Sequence, residues 1–210
     1  MKRVSLKPLE VSDAGEVYEL CRGTFREEYH ITEERILESL FEDPDFSAEE
    51  SKKIVDEKNG RMIGFIGVKV SHNEQLYPAS AWISIFAVKK EEQGKGYGTM
   101  VLNQVCQSLH KNGINKIYVG QDFNNFFSGI PDPDEGKEIF FKKNGFTLNR
   151  DRHFDLEADI TDNRLIDSFD TSSFDKEFTV ASYKDNKKEL LGFLEREFPG
   201  RWVFEAEEAI

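Results

Sequence analysis

The run QGKGYG at residues 93–98, with AWISIFAVKK at 81–90 before it and TMVLNQVCQSLHKN at 99–112 after it, decides how this chain reads. Glycines at 94, 96 and 98 remove side chains where the chain turns from strand to helix, so several backbone N–H groups can face one anion. A helix starting near Tyr97 adds the positive end of its dipole. Each such contribution is on the order of 1 kcal/mol, and convergent charge-assisted bonds to a pyrophosphate sum to useful affinity. Lys95 can supply a further charge. Two familiar phosphate loops fail on spacing. A Walker loop needs Lys-Ser or Lys-Thr after its last glycine, and a dinucleotide loop needs G-x-G-x-x-G early in a strand–helix–strand unit. This run is G-x-G-x-G and follows a hairpin. A plain glycine turn with no ligand is the bland alternative.

Outward from the loop, Ala81 to Lys90 is apolar on both alternating faces, with Trp82, Phe86 and Val88 on one side and Ile83, Ile85 and Ala87 on the other, the pattern of a central strand. The following helix is predicted to about Asn112, buried along Val101, Leu102, Val105, Cys106 and Leu109, with Gly113 as its left-handed stop. Upstream, KKIVDEK and RMIGFIGVKV joined by Asn59-Gly60 predict an antiparallel hairpin. Val4, Leu6 and Pro8 suggest a first strand, and Asp13 with Glu16 has capping-box spacing. The helix after it carries Val17, Leu20, Cys21, Thr24 and Phe25, and Thr32 opens a second stripe through Ile36, Leu37, Leu40 and Phe41, ended by Asp43-Pro44.

Downstream, KIYVGQ reads as a strand, and the insertion DFNNFFSGIPDPDE, with Phe123, Phe126, Phe127 and Pro131, as a packed flap or a substrate-site wall. Asp132, Pro133 and Glu135 predict the start of a helix over EGKEIFFKKN that Gly145 stops, with a strand from Phe146 to Leu156 after it. Hairpins mixed with a crossover make an α/β, or mixed α+β, layer fold.

Composition narrows the function classes. In 210 residues, 38% hydrophobic content and 18 Phe can build one large domain or a domain plus a fragment. A net charge of −12 opposes nucleic acid or an anionic membrane as partner and favours small cationic or neutral substrates. No apolar run approaches the roughly 20 residues of a membrane span, and MKRVSLKPLE has no signal-peptide core, so a cytoplasmic location is expected. Cys21 and Cys106 fall on apolar helix stripes and read as small core residues. His30, His72, His110 and His153 have no metal-ligand spacing, and no metal is expected.

The loop fits the [QR]-x-x-G-x-[GA] pattern of the GCN5-related N-acetyltransferases (GNAT), and the chain resembles that family over about residues 1–160, including FAVKKEEQGKGYG and FFKKNGF. The resemblance implies a mainly antiparallel central sheet with helices on both faces, and fourth and fifth strands that splay around the pantetheine arm of acetyl-CoA. It further implies that Gln93, Gly94, Lys95, Gly96, Tyr97, Gly98 and Thr99 surround the pyrophosphate, and that Phe86, Ala87 and Val88 lie along the pantetheine and acetyl carbonyl. Direct acetyl transfer to an amine of a small molecule or peptide follows, with a strand N–H as oxyanion donor. The family commonly has a tyrosine where Phe141 stands and an asparagine near Asp134. The proton donor is then Tyr118 or solvent, or the protein is an acyl-CoA-binding module without turnover. Asp122 is a candidate ammonium ligand or base through water, or a solvated strand-end acid.

Residues 161–176 are polar and read as a linker. The segment 177–210, EFTVASYKDNKKELLGFLEREFPGRW and onward, repeats the opening order of strand, Asp cap and helix through Leu190, Leu191 and Leu194. It resembles the start of a second domain of the same family, or serves as an arm for homodimerisation.

Overall fold

Five runs of alternating apolar residues pair into one sheet of order β1-β2-β3-β4-β5: β1 Val4–Pro8, β2 Lys52–Asp56, β3 Met62–Val70, β4 Ser80–Val88 and β5 Lys116–Val119. The first four are antiparallel neighbours and β5 joins β4 in parallel. The computed structural model describes residues 3–130, 135–148 and 182–209, in two units, Met1–Asn149 and Arg150–Ile210. The strand expected from Phe146 to Leu156 falls largely outside the described residues, as do Pro131, the helix cap at Asp132 and Pro133, and residues 161–176.

Helices cover both faces of the sheet. On one, α1 Ala14–Thr24, α2 Glu33–Ile36 and the turn Leu37–Phe41 after it bury Val17, Leu20, Cys21, Ile36 and Leu40 against Phe65, Ile85 and Ala87. On the other, α3 Tyr97–Lys111 and α4 Glu135–Lys143 set Tyr97, Val101, Leu102, Val105 and Phe141 against Ile66, Val68, Ile83 and Val88. Gly67 permits this layering, because a Cβ there would stand 2.9 Å from Leu40 Cδ1 and 3.1 Å from Ile85 Cγ2. The hairpin turn at Asn59-Gly60 forms as expected, with Gly60 at φ +71°.

Three local expectations need correction. Asp13 and Glu16 do not form a capping box: the Glu10 N–H donates to the Asp13 carboxylate at 2.9 Å, and Glu16 Oε1 instead accepts the Met62 N–H at 2.8 Å. The stripe from Thr32 is not one α-helix. Thr32 caps it through Arg35 N–H (3.1 Å), but after Ile36 the chain widens into a π-helical turn over Leu37–Phe41. Finally, Gly67 pairs with Ile85 and Val68 with Ile83, so Ser84 is an extra residue, a β-bulge. The bulge moves Ile83 to the α3 face with Phe86 and Val88, while Trp82 packs with Tyr77, Tyr118 and Phe123.

In the second unit, α5 Lys187–Glu197 follows Asn186 and carries the expected leucines; α6 Arg201–Ala209, over RWVFEAEEA, was not expected. Phe198 lies 6.0 Å from Phe193 and 6.2 Å from Trp202, ring to ring. The strand expected over EFTVASY lies outside the described residues up to 181.

Burial pushes the Cys21 thiol up to about 12. A thiol raised above its unfolded value stabilises the fold fully below about pH 8.5, and that contribution falls as pH climbs toward 12, by up to about 1.4 kcal/mol per unit. At pH 8 a disulfide reagent should therefore modify the half-buried Cys106 at least about tenfold faster than Cys21, and the two should react alike in denaturant. Equal rates in the native protein would refute the burial of Cys21.

Candidate active site

The backbone of β4 turns an open edge toward β5. Lys89 N–H donates to the Ile63 carbonyl at 2.9 Å, so by strand alternation Ala87 also faces β3 while Phe86 and Val88 face the opposite edge. On that edge, pairing with β5 stops at Ile83–Val119, after which only the Gly120 N–H reaches the Ile83 carbonyl (2.9 Å). The strands part here, as the splay requires. The cleft between them is lined by Ile83, Ser84, Ile85 and Phe86 of β4, by Val119, Gly120, Phe127, Gly129 and Ile130, and by Phe25, Lys137 and Phe141.

The glycine run follows directly from the open edge. Gly94 and Gly96 hold φ of +72° and +82°, and a Cβ on either would meet nothing within 4 Å, so both serve conformation and leave space in front of the loop. Gly98 has a different reason: a Cβ there would stand 3.4 Å from Phe140 and 3.5 Å from Phe86. Met100 donates the first intrahelical bond, to Gly96 O at 3.0 Å, so the amides of the preceding turn point out of the helix end. Thr99 is exposed in this turn, whereas the Tyr97 ring is buried and contributes to the core. Gln93 Nε2 donates to the Val88 carbonyl at 2.8 Å, so its side chain fastens the loop to the strand end. Lys95 is tied to Glu92 (2.9 Å) and to the Glu91 carbonyl (2.6 Å), so its charge is balanced within the loop.

Behind the cleft lies a charge cluster that sequence reasoning missed. Lys69 is fully buried, with Nζ 2.8 Å from Asp43, 2.5 Å from Asp122 and 2.9 Å from the Phe123 carbonyl. Burial raises the Asp43 carboxyl above its ordinary range, and the hydrogen bond and charge of Lys69 oppose that rise. Asp122 is buried rather than a solvated strand-end acid, and it accepts the Ser84 hydroxyl at 2.8 Å. Tyr118 stands elsewhere, exposed on the still-paired stretch and stacked on Trp82 at 6.1 Å. Phe25, Ser84 and Lys137 join the cleft without having been singled out for it. The one sequence signal for Ser84 is its hydroxyl within an apolar strand; that for Lys69 is a lysine next to the end of one.

The insertion after β5 is both packed and wall-forming. Phe123 and Phe126 are buried while Phe127 and Ile130 line the cleft, and Arg35 donates to the carbonyls of Asn125 (3.3 Å) and Phe126 (3.2 Å). At Gly120, with φ +64°, a Cβ would stand 2.6 Å from the Phe127 carbonyl and 2.8 Å from Gly129 N. Gly120→Ala should therefore cost about 2 to 3 kcal/mol and speed amide exchange over residues 121–130; an unchanged melt and exchange pattern would refute the close approach.

Among the described residues no group of three or more His, Cys, Asp or Glu could hold a metal, and no helix is long and apolar enough to cross a membrane. The site thus joins the parted edge of a mixed sheet to a glycine loop that opens a helix. Residues 14–128 match the model of the acetyltransferase (GNAT) family, and the chain belongs to that family. No curated protein matches the sequence significantly. The fold is similar to the ribosomal-protein-S18-alanine N-acetyltransferase of Escherichia coli, at 15% identity and TM-score 0.54 over 69% of this chain and 78% of that one. It is similar to the PaiA N-acetyltransferase of Thermoplasma acidophilum in complex with coenzyme A, at 17% identity and 0.55 over 71% and 93%. The glucosamine N-acetyltransferase region of a fungal multi-domain GH3 β-N-acetylglucosaminidase matches 99% of this chain and 24% of that one, at 18% identity and 0.71.

Proposed function

We propose that this protein transfers the acetyl group of acetyl-CoA directly to an amine of a small molecule or peptide. The observation that carries the reading is the continuity of the open β4 edge at Phe86 and Val88 with the glycine loop and the start of α3. In this reading the amides of residues 94–99 hold the pyrophosphate, and the pantetheine arm runs along the parted edge of β4. The Phe86 N–H donates to the acetyl carbonyl oxygen, where negative charge develops as the amine attacks. Holding donor and acceptor in line supplies much of the rate, and no covalent enzyme intermediate is needed.

The amine must be neutral to attack, since a free alkylammonium has a pKa of roughly 10, and in this reading its proton passes to water at the cleft. Asp122, ion-paired to Lys69, acts as a positioning residue that fixes Ser84 at the bulge. Tyr118 stays outside this assignment because its ring stacks on Trp82 away from the cleft lining. The aromatic walls Phe25 and Phe127 suit an acceptor with an apolar portion next to its amine.

Calorimetric titration with acetyl-CoA followed by thiol-release assays across an amine panel tests the reading. Binding with turnover of at least one amine is expected; no binding would end it. Binding without thiol release from any amine would favour the acyl-CoA-binding module, a reading motivated by Phe141, which brings no hydroxyl to the cleft.

A further inference from the structure

We infer that Ser84 holds the attacking amine in line by accepting a hydrogen bond from its N–H, an inference that rests on the acetyl-transfer reading above. Regular pairing of β4 with β5 ends at Ile83–Val119, and the Gly120 N–H makes one further bond, to the Ile83 carbonyl. Just beyond, the Ser84 hydroxyl donates to Asp122 at 2.8 Å, so a residue of β4 is joined to one that follows β5 where the two strands part. The bulge supplies Ser84 there as an extra residue opposite the Gly67–Val68 step of β3. Ser84 carries the only side-chain oxygen among the described residues that line the cleft. A serine hydroxyl has one proton to give and two lone pairs that accept. Its proton is committed to Asp122, which is itself ion-paired to the buried Lys69 at 2.5 Å and so fixed in place. The oxygen can therefore meet a further group only as an acceptor, and an amine brings N–H bonds to donate.

The attacking nitrogen spends its lone pair on the carbonyl carbon, so its N–H bonds are what remains to position it. Ser84 and Phe86 stand two residues apart on β4, a rise of about 6.6 Å. That span suits a bent chain from Ser84 Oγ through the nitrogen and the carbonyl to the Phe86 amide, with a hydrogen bond of about 2.9 Å at either end. The amine lone pair forms the C–N bond, and the C–S bonding pair departs onto sulfur as a thiolate. The nitrogen loses its extra proton to water, and the thiolate takes one from water, so Ser84 neither gains nor loses a proton. As the nitrogen becomes positive during attack, its hydrogen bond to Ser84 strengthens, which favours the transition state over the bound substrate.

The test uses two coenzyme A thioethers of nearly one shape and needs no acceptor. S-carbamoylmethyl-coenzyme A puts an amide N–H where the amine attacks, and S-acetonyl-coenzyme A puts a methyl group there. In calorimetric titrations the wild-type protein should bind the carbamoylmethyl compound at least about fivefold more tightly, because the methyl leaves the Ser84 oxygen facing hydrocarbon. Ser84→Ala should lose most of that preference while still binding both compounds, and an intact thermal melt establishes that the variant is folded. The wild-type comparison stands without any variant. The inference is overturned if the wild-type protein binds the two compounds equally tightly. It is equally overturned if Ser84→Ala keeps the wild-type preference. Failure of the wild-type protein to bind either compound would overturn the acetyl-transfer reading, and this inference with it.

Discussion

Replacing Lys69 with Met should destabilise the N-terminal unit by about 3 to 5 kcal/mol, the cost of leaving a buried charge uncompensated. For a unit of this size the melting temperature should fall on the order of 10 °C. The reason is geometric: Nζ lies between the carboxylates of Asp43 at 2.8 Å and Asp122 at 2.5 Å, at a site where the lysine side chain has no exposure. Without it, two buried acids are left without their shared cation. The sign with pH follows. Burial already raises the Asp43 carboxyl and Lys69 restrains it, so in the variant its folded value rises further above the unfolded one. Such a group is tolerated when protonated and costs stability as pH rises through its range, so the deficit should be smaller at pH 5 than at pH 8. Thermal melts of both proteins at the two pH values check this, and neutralising both acids as well, with Asp43→Asn and Asp122→Asn, should recover much of the loss. A pH-independent deficit under 1 kcal/mol would contradict the buried cluster. Loosening of the wall is expected too, because Lys69 also holds the Phe123 carbonyl.

Gly96→Glu should abolish measurable affinity for acetyl-CoA, a loss of at least about 100-fold or 2.8 kcal/mol. The site accepts the side chain, since a Cβ there meets nothing within 4 Å, but the carboxylate would stand before the first-turn amides of α3. The φ of +82° adds strain of roughly 1 to 2 kcal/mol to any L-residue. Gly96→Ala carries the same strain without charge and separates the two causes: the Ala variant should keep most of the affinity that the Glu variant loses. Calorimetric titration of both variants reads this out.

The sheet was legible where one face differs from the other or where turn chemistry intervenes. Asn59-Gly60 marked the hairpin, and the stripe from Val101 to Leu109 marked α3. The bulge at Ser84 was not legible, because β4 is apolar on both faces and a one-residue slip leaves its pattern unchanged. Asp13 followed by Glu16 carried capping spacing, yet Glu16 is taken by the Met62 amide, a partner 46 residues away. The loop was legible as a glycine turn into α3 because its glycines are local. The cleft was not, because Phe25, Ser84, Phe127 and Lys137 meet only after the chain crosses from α1 to α4. Lys137 in EGKEIFFKKN looks like one more solvated helix charge until β4 and β5 part beside it. Lys69 and Asp43 likewise lie far apart in sequence, with nothing in either segment to announce the pair.

The most direct test of coenzyme A binding at the β4 edge and glycine loop is a backbone amide NMR titration of the wild-type protein with acetyl-CoA. The largest shifts are expected at residues 94–99 and at Phe86 and Val88, with little change around Trp82 and Tyr118. Shifts concentrated on that aromatic face, or none at all, would contradict it.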